Sequence, residues 1–149
     1  MEARATTLSE NTAFVRPRGL LGEWGLSVLV ERDDRKILLD AGASMSAARN
    51  GGLLGINWDR IDAIVLSHGH YDHTGGLREV LTRIRKQVKI FAHPDVFDAK
   101  FIQISKDESP EYMASPFRGR NWKASVPISN SPANRYGCLR IWSPAARSP

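Results

Sequence analysis

Apolar positions change their spacing several times along the chain, and each change marks an element. In Leu26-Ser27-Val28-Leu29-Val30 and again in Lys36-Ile37-Leu38-Leu39-Asp40, branched apolar residues flank the polar run Arg32-Asp33-Asp34-Arg35. This pattern predicts two strands joined as a hairpin. Residues 3–9 (Ala-Arg-Ala-Thr-Thr-Leu-Ser) predict a first strand, with Glu10-Asn11-Thr12 opening a loop. Ala41-Gly42 closes the hairpin's second strand, and residues 44–54 suit a helix ending at Gly51 and Gly52. Ala63-Ile64-Val65-Leu66 is an uninterrupted apolar run between polar residues, the pattern of a strand buried on both faces. Beyond Thr74-Gly75-Gly76 the period becomes helical. Leu77, Val80, Leu81 and Ile84 fall on one side and Arg78, Arg83, Arg85 and Lys86 on the other, an amphipathic helix over about residues 76–86. Val88-Lys89-Ile90-Phe91-Ala92 predicts another strand, stopped by Pro94, which has no N–H to give a central ladder. Strand, loop, helix and strand in this order form the unit of an α/β layered fold.

From about Ser115 the periodicity disappears, and Pro116, Pro127, Pro132, Pro144 and Pro149 recur among Ser, Asn and Arg. No packed structure is expected there. The expected division is a folded part at 1–117 and a basic Pro/Ser/Arg-rich tail, unstructured, at 118–149.

At 149 residues the chain can bury one sizeable core, and one domain is the ceiling. Hydrophobic content of 42% and charged content of 25% fit a chain that folds over most of its length. The formal net charge of +5 is unevenly placed. Arg118, Arg120, Lys123, Arg135, Arg140 and Arg147 face no Asp or Glu in residues 118–149, so setting those six positive charges aside leaves residues 1–117 at −1. A nucleic-acid footprint on the folded part is therefore not expected. The one cysteine, Cys138, excludes a disulfide framework or a cysteine-rich zinc site and fits a reducing, cytoplasmic setting. No apolar run approaches the ~20 residues of a membrane span, and Met1-Glu2-Ala3-Arg4 does not open a secretion signal. No membrane partner is expected.

The chemistry concentrates at the end of the buried strand. His68-Gly69-His70-Tyr71-Asp72-His73 places three of the four histidines and an aspartate together, and imidazole with carboxylate is the donor set of zinc, iron or manganese. In an extended loop His68 and His70 project to the same side and can reach one metal, with Gly69 adding no side chain to block it. Past a bend, Asp72 and His73 can turn toward a second metal roughly 3.5–4 Å from the first, as in two-metal hydrolytic sites. Two other residues carry alternatives. Asp40 is either an outer partner that orients the metal loop or an aspartate at a turn. His93 either faces the same cleft or plays a structural part at its strand end.

Ser67-His68-Gly69-His70-Tyr71-Asp72-His73-Thr74-Gly75-Gly76-Leu77 resembles the signature of the metallo-β-lactamase superfamily, and Leu39-Asp40-Ala41-Gly42 resembles the aspartate motif upstream of it. Glu10-Asn11-Thr12, the run Gly19 to Ser27, and Ala92-His93-Pro94-Asp95 are similar to one branch, the metal-dependent hydrolases that include dihydropterin ribofuranosylaminobenzene phosphate synthase-like proteins. The resemblance covers about residues 5–117. It implies an α/β fold class: the N-terminal half of an αββα sandwich, followed by a disordered or irregular C-terminal tail. By the same resemblance His68 and His70 bind a first metal ion, Asp72 and His73 a second, Asp40 supports them from outside, and Asp72 is the catalytic residue. Zinc is the expected metal, up to two ions in a full-length relative, with iron or manganese as alternatives. The implied activity is hydrolysis of a small-molecule substrate by a metal-activated water. The branch also contains a transferase that joins a pterin unit to an aryl ribose phosphate.

The family draws further ligands from its second half, including a histidine in a Gly-Cys-x-His segment. Tyr136-Gly137-Cys138-Leu139 has leucine where that histidine would stand. Two protein ligands for the first metal are fewer than the three a catalytic zinc normally has, so impaired activity is expected, with a metal-binding remnant that turns nothing over as the alternative. Loss of acids and periodicity near residue 118 points to a truncated gene or a shifted reading frame. A half sandwich would leave one sheet face open, and self-association through that face is expected.

Overall fold

The computed structural model of the chain describes residues 2–14, 16–117 and 137–141. Each run predicted to be a strand forms one: β1 (Ala3–Ser9), β2 (Ser27–Arg32), β3 (Arg35–Leu39), β4 (Ala63–Val65) and β5 (Val88–Ala92). Between them lie α1 (Ser46–Leu53), α2 (Tyr71–Thr74) and α3 (Leu77–Ile84). Two short strands follow, β6 (Phe101–Ile102) and β7 (Glu111–Tyr112), and then β8 (Gly137–Ile141). The main sheet has the order β1-β2-β3-β4-β5-β8, and β6 and β7 pair separately. β2 and β3 form the antiparallel hairpin, turning at Asp33 and Asp34, while β3, β4 and β5 run parallel. The carboxyl ends of three parallel strands open on one edge, and Asp40, Ser67 and His93 leave the sheet there. That edge is where open α/β sheets hold their ligands.

The core lies on one face of the sheet. Leu29, Leu38, Ile64 and Ile90 stand in register across four strands and are each 0% exposed. Leu77, Val80, Leu81 and Ile84 of α3, with Ala47 and Ala48 of α1, join the same cluster. On the other face Val28, Leu39, Val65 and Phe91 form one row, and Val30, Ile37, Ala63 and Lys89 the next. No helix covers this second face among the described residues, and Val30, Ile37 and Phe91 remain 37%, 39% and 38% exposed.

Two expectations differ from what forms. Gly51 and Gly52 do not end α1 but lie inside it. Gly51 is there for packing, since a Cβ on it would stand 2.3 Å from the ring of Trp58, whereas one on Gly52 would meet nothing within 4 Å. Within 118–149, expected to be irregular, Gly137–Ile141 instead pairs antiparallel with β5. The backbone of β5 offers a free row of N–H and C=O groups, and a proline-free run can satisfy them without any apolar period. Residues 118–136 and 142–149 lie outside the described residues. Before that boundary Ser115 and Phe117 are buried. Among the described residues no helix is long and apolar enough to cross a membrane.

Candidate metal centre

The site is built on Asp40, the first residue past β3. Its φ of +54° is a left-handed conformation that costs a non-glycine residue about 1–2 kcal/mol. The surroundings hold it there. Its N–H donates to the Val65 carbonyl at 2.8 Å, and its own carbonyl accepts from the Ser27 hydroxyl at 2.9 Å. Its carboxylate, 0% exposed, accepts from the Ser67 N–H at 2.8 Å and the Ser67 hydroxyl at 2.6 Å, and the same Oδ2 lies 2.7 Å from His73 Nδ1. Asp40 is thus buried behind the histidine loop and bonded to both Ser67 and His73, more than a turn aspartate with no further role would require. With Nδ1 committed to the carboxylate, His73 presents Nε2 to the cleft.

The loop after β4 is extended through His70, and α2 begins at Tyr71 and carries Asp72 and His73 round the bend. His68 Nε2 lies 3.1 Å from His70 Nδ1. His68, Asp72 and His73 each offer a ligand atom within 4.8 Å of the other two. His68 therefore neighbours both His70 and the Asp72–His73 pair, while His70 itself stands outside the group formed by His68, Asp72 and His73. The resemblance divides these residues into two pairs, whereas the geometry makes His68 common to both groups.

Three observations fit a cation here. Zinc–nitrogen bonds of ~2.0–2.1 Å at a tetrahedral angle set two ligand nitrogens about 3.3 Å apart, near the 3.1 Å between His68 and His70. Asp72 Oδ1 is buried with no hydrogen-bond partner, and Asp72 Oδ2 stands 3.6 Å from His73 Nε2. A buried carboxylate oxygen left unpaired is costly unless a cation or donor meets it. Burial, reinforced by the neighbouring His73 and His70, holds His68 below the ordinary imidazole value, which favours the neutral ring that a metal binds.

The elements around the loop explain its glycines. A Cβ on Gly69 would stand 1.8 Å from the Val96 carbonyl oxygen, so Gly69 makes room for the 3-10 turn at Pro94–Phe97 rather than for the metal. Gly75 and Gly76 likewise press against the carbonyls of Ala43 and Ala41. On one side the Leu26 N–H donates to the Asp72 carbonyl at 3.2 Å. On the other the Tyr71 N–H donates to the Met113 carbonyl, His70 bridges Ala114, and the Ser115 N–H donates to the Gly69 carbonyl. Sequence reasoning missed this second clamp, because nothing in residues 113–115 marks them as partners of the histidine loop. It also passed over Ser67, whose only signal is a hydroxyl directly before the first histidine. His93 takes the structural alternative: its Nδ1 accepts the Asp95 N–H at 3.2 Å and caps the turn, with the ring largely exposed.

Residues 25–126 match the family described as the Metallo-beta-lactamase superfamily. The chain is 36% identical over 107 residues to a 7,8-dihydropterin-6-methyl-4-(beta-D-ribofuranosyl)-aminobenzene-5'-phosphate synthase of Methanocaldococcus jannaschii, covering 68% of this chain and 35% of that protein. An uncharacterised protein of the same organism is 37% identical over 94 residues, covering 63% and 36%. Among solved structures the Rm3 metallo-beta-lactamase shares 29% identity, with a TM-score of 0.44 over 76% of this chain and 43% of that one. The chain spans about a third of the length of the curated relatives.

Proposed function

The chain belongs to the metallo-β-lactamase superfamily, and from that premise we propose that it is a metal-dependent hydrolase of a small-molecule substrate, with zinc as its ion and iron or manganese as alternatives. The observation that carries this reading is the grouping of His68, Asp72 and His73 with ligand atoms within 4.8 Å of one another, with His70 beside His68 and one buried Asp72 carboxylate oxygen without a partner. Bound zinc supplies Lewis acidity and brings the proton loss of water near neutral pH. In this reading His68 and His70 would hold a first ion, while Asp72 and His73 would hold a second. The Asp72 carboxylate would also be the group able to accept a proton from water. Two imidazoles for the first ion, where a catalytic zinc takes three protein ligands, make low turnover the expectation for this chain by itself.

Loading the purified chain with zinc, manganese or iron(II), followed by elemental analysis and a screen of ester and phosphodiester substrates, tests the reading. Bound metal with slow hydrolysis that Asp72→Asn abolishes is the expected result. No metal uptake under any condition would overturn it. Stoichiometric metal without turnover selects a metal-binding remnant. A pterin-directed synthase is a second reading, favoured by the 36% identity to the archaeal synthase. Product formed from a pterin substrate, with no hydrolysis in the screen, selects it.

A further inference from the structure

Ser67 joins the buried Asp40 carboxylate to His68, and we propose that it is a positioning residue that dictates which His68 nitrogen is left to bind metal. The metal half of this inference rests on the reading above.

The argument follows the protons. The Ser67 hydroxyl has one proton and two lone pairs, whereas a carboxylate only accepts. Ser67 Oγ stands 2.6 Å from Asp40 Oδ2, so its proton goes there. The Ser67 N–H donates to the other carboxylate oxygen at 2.8 Å, which holds the residue at two points. Ser67 Oγ is also 3.0 Å from His68 Nδ1, and toward that ring it has only lone pairs to offer. The proton between them must then belong to His68 Nδ1, which leaves Nε2 bare. That bare nitrogen is the one 3.1 Å from His70 Nδ1.

His73 reaches the same state without an intermediary, through its 2.7 Å contact with Asp40 Oδ2. Ser67 Oγ lies 3.4 Å from His73 Nδ1, too far to compete with that contact. One carboxylate, extended by one hydroxyl, therefore presets two imidazoles with Nε2 facing the cleft. Preset tautomers spare the site a proton rearrangement when metal arrives, and outer partners of this kind are worth ~10–100-fold in affinity.

Long-range proton–nitrogen NMR of the metal-free chain reads each tautomer directly. The expected result is His68 protonated on Nδ1, a shift of the population toward Nε2 in Ser67→Ala, and restoration in Ser67→Thr. Zinc titration should show Ser67→Ala weakened by ~10–100-fold, with Ser67→Thr close to the parent. His68 protonated on Nε2 in the unaltered chain would overturn the proposal without recourse to any variant. An unchanged His68 tautomer in a folded Ser67→Ala would overturn it as well. If the unaltered chain binds no zinc, the metal-centre reading fails, while the NMR result still judges Ser67.

Discussion

At the scale of single residues the site depends on groups that are buried and committed to more than one partner. Asp40 accepts from the Ser67 N–H, the Ser67 hydroxyl and His73 while 0% exposed. Asp40→Asn replaces one acceptor with an NH2 group and leaves at least one buried donor unanswered. We expect a loss of about 1–3 kcal/mol in urea unfolding of the metal-free chain. Zinc affinity should fall ~10–100-fold by titration, and a parent-like affinity would refute the assigned role. Gly69→Ala tests a different cause. The added methyl would stand 1.8 Å from a backbone oxygen, which cannot rotate away as a side chain could. The Pro94–Phe97 turn must shift, at about 1–3 kcal/mol, read as a lowered melting temperature. The need for glycine between the two histidines was legible in the sequence, but its reason was not, because Val96 lies far along the chain.

At the scale of elements, α1 shows how packing overrides local signals. A Gly-Gly pair reads as a helix end, yet α1 passes through both residues because Trp58 packs against Gly51. Adjacent substitutions should therefore differ in sign. Gly52→Ala is expected to stabilise by about 0.5–1 kcal/mol, by relieving the entropic cost of glycine in a helix. Gly51→Ala should destabilise by about 1–3 kcal/mol through its clash with the Trp58 ring. Equal melting shifts would contradict this. The start of α1 depends on Glu23, which accepts from the Ser44 N–H and from the hydroxyls of Ser44 and Ser46. Partial burial pushes its carboxyl up, but the hydrogen bonds from Ser44 and Ser46 outweigh this and hold it below 4.5. A carboxylate with a lowered folded value stabilises the fold above its unfolded value and loses that contribution as pH falls through the folded one. Stability should therefore decline below pH 4.5, and Glu23→Gln should flatten that part of the profile measured by denaturant unfolding. A decline of the same slope in the variant would remove Glu23 as its source.

At the scale of the whole molecule, helices cover the sheet on one side only among the described residues. Val30, Ile37 and Phe91 form, with Val28, Leu39 and Val65, a continuous apolar surface open to solvent among the described residues. Contiguous apolar surface of this kind drives association in water. Sedimentation should show the chain associating at micromolar concentration, and Ile37→Lys with Phe91→Lys should move it toward monomer. A stable monomer of the unaltered chain would count against this use of the face. The open face was foreseeable from the resemblance to half of a sandwich, whereas the edge pairing of β8 was not.

What the sequence determined by itself is the strands β1 to β5, the helices α1 and α3, and the grouping of His68, His70, Asp72 and His73 at the end of β4. Strand and helix periods report which side of each segment is buried, and His68, His70, Asp72 and His73 lie close enough in the chain for their grouping to be local. The tertiary structure alone decided the rest: that Asp40 and Ser67 meet beneath the histidines, that residues 113–115 clamp the loop, that Trp58 claims Gly51, and that β8 joins β5. These contacts join residues distant in the chain. Periodicity records how deeply a side chain is buried but not what it meets there, and hydrogen-bond partners and close packing are set only when the strands and loops are placed in space.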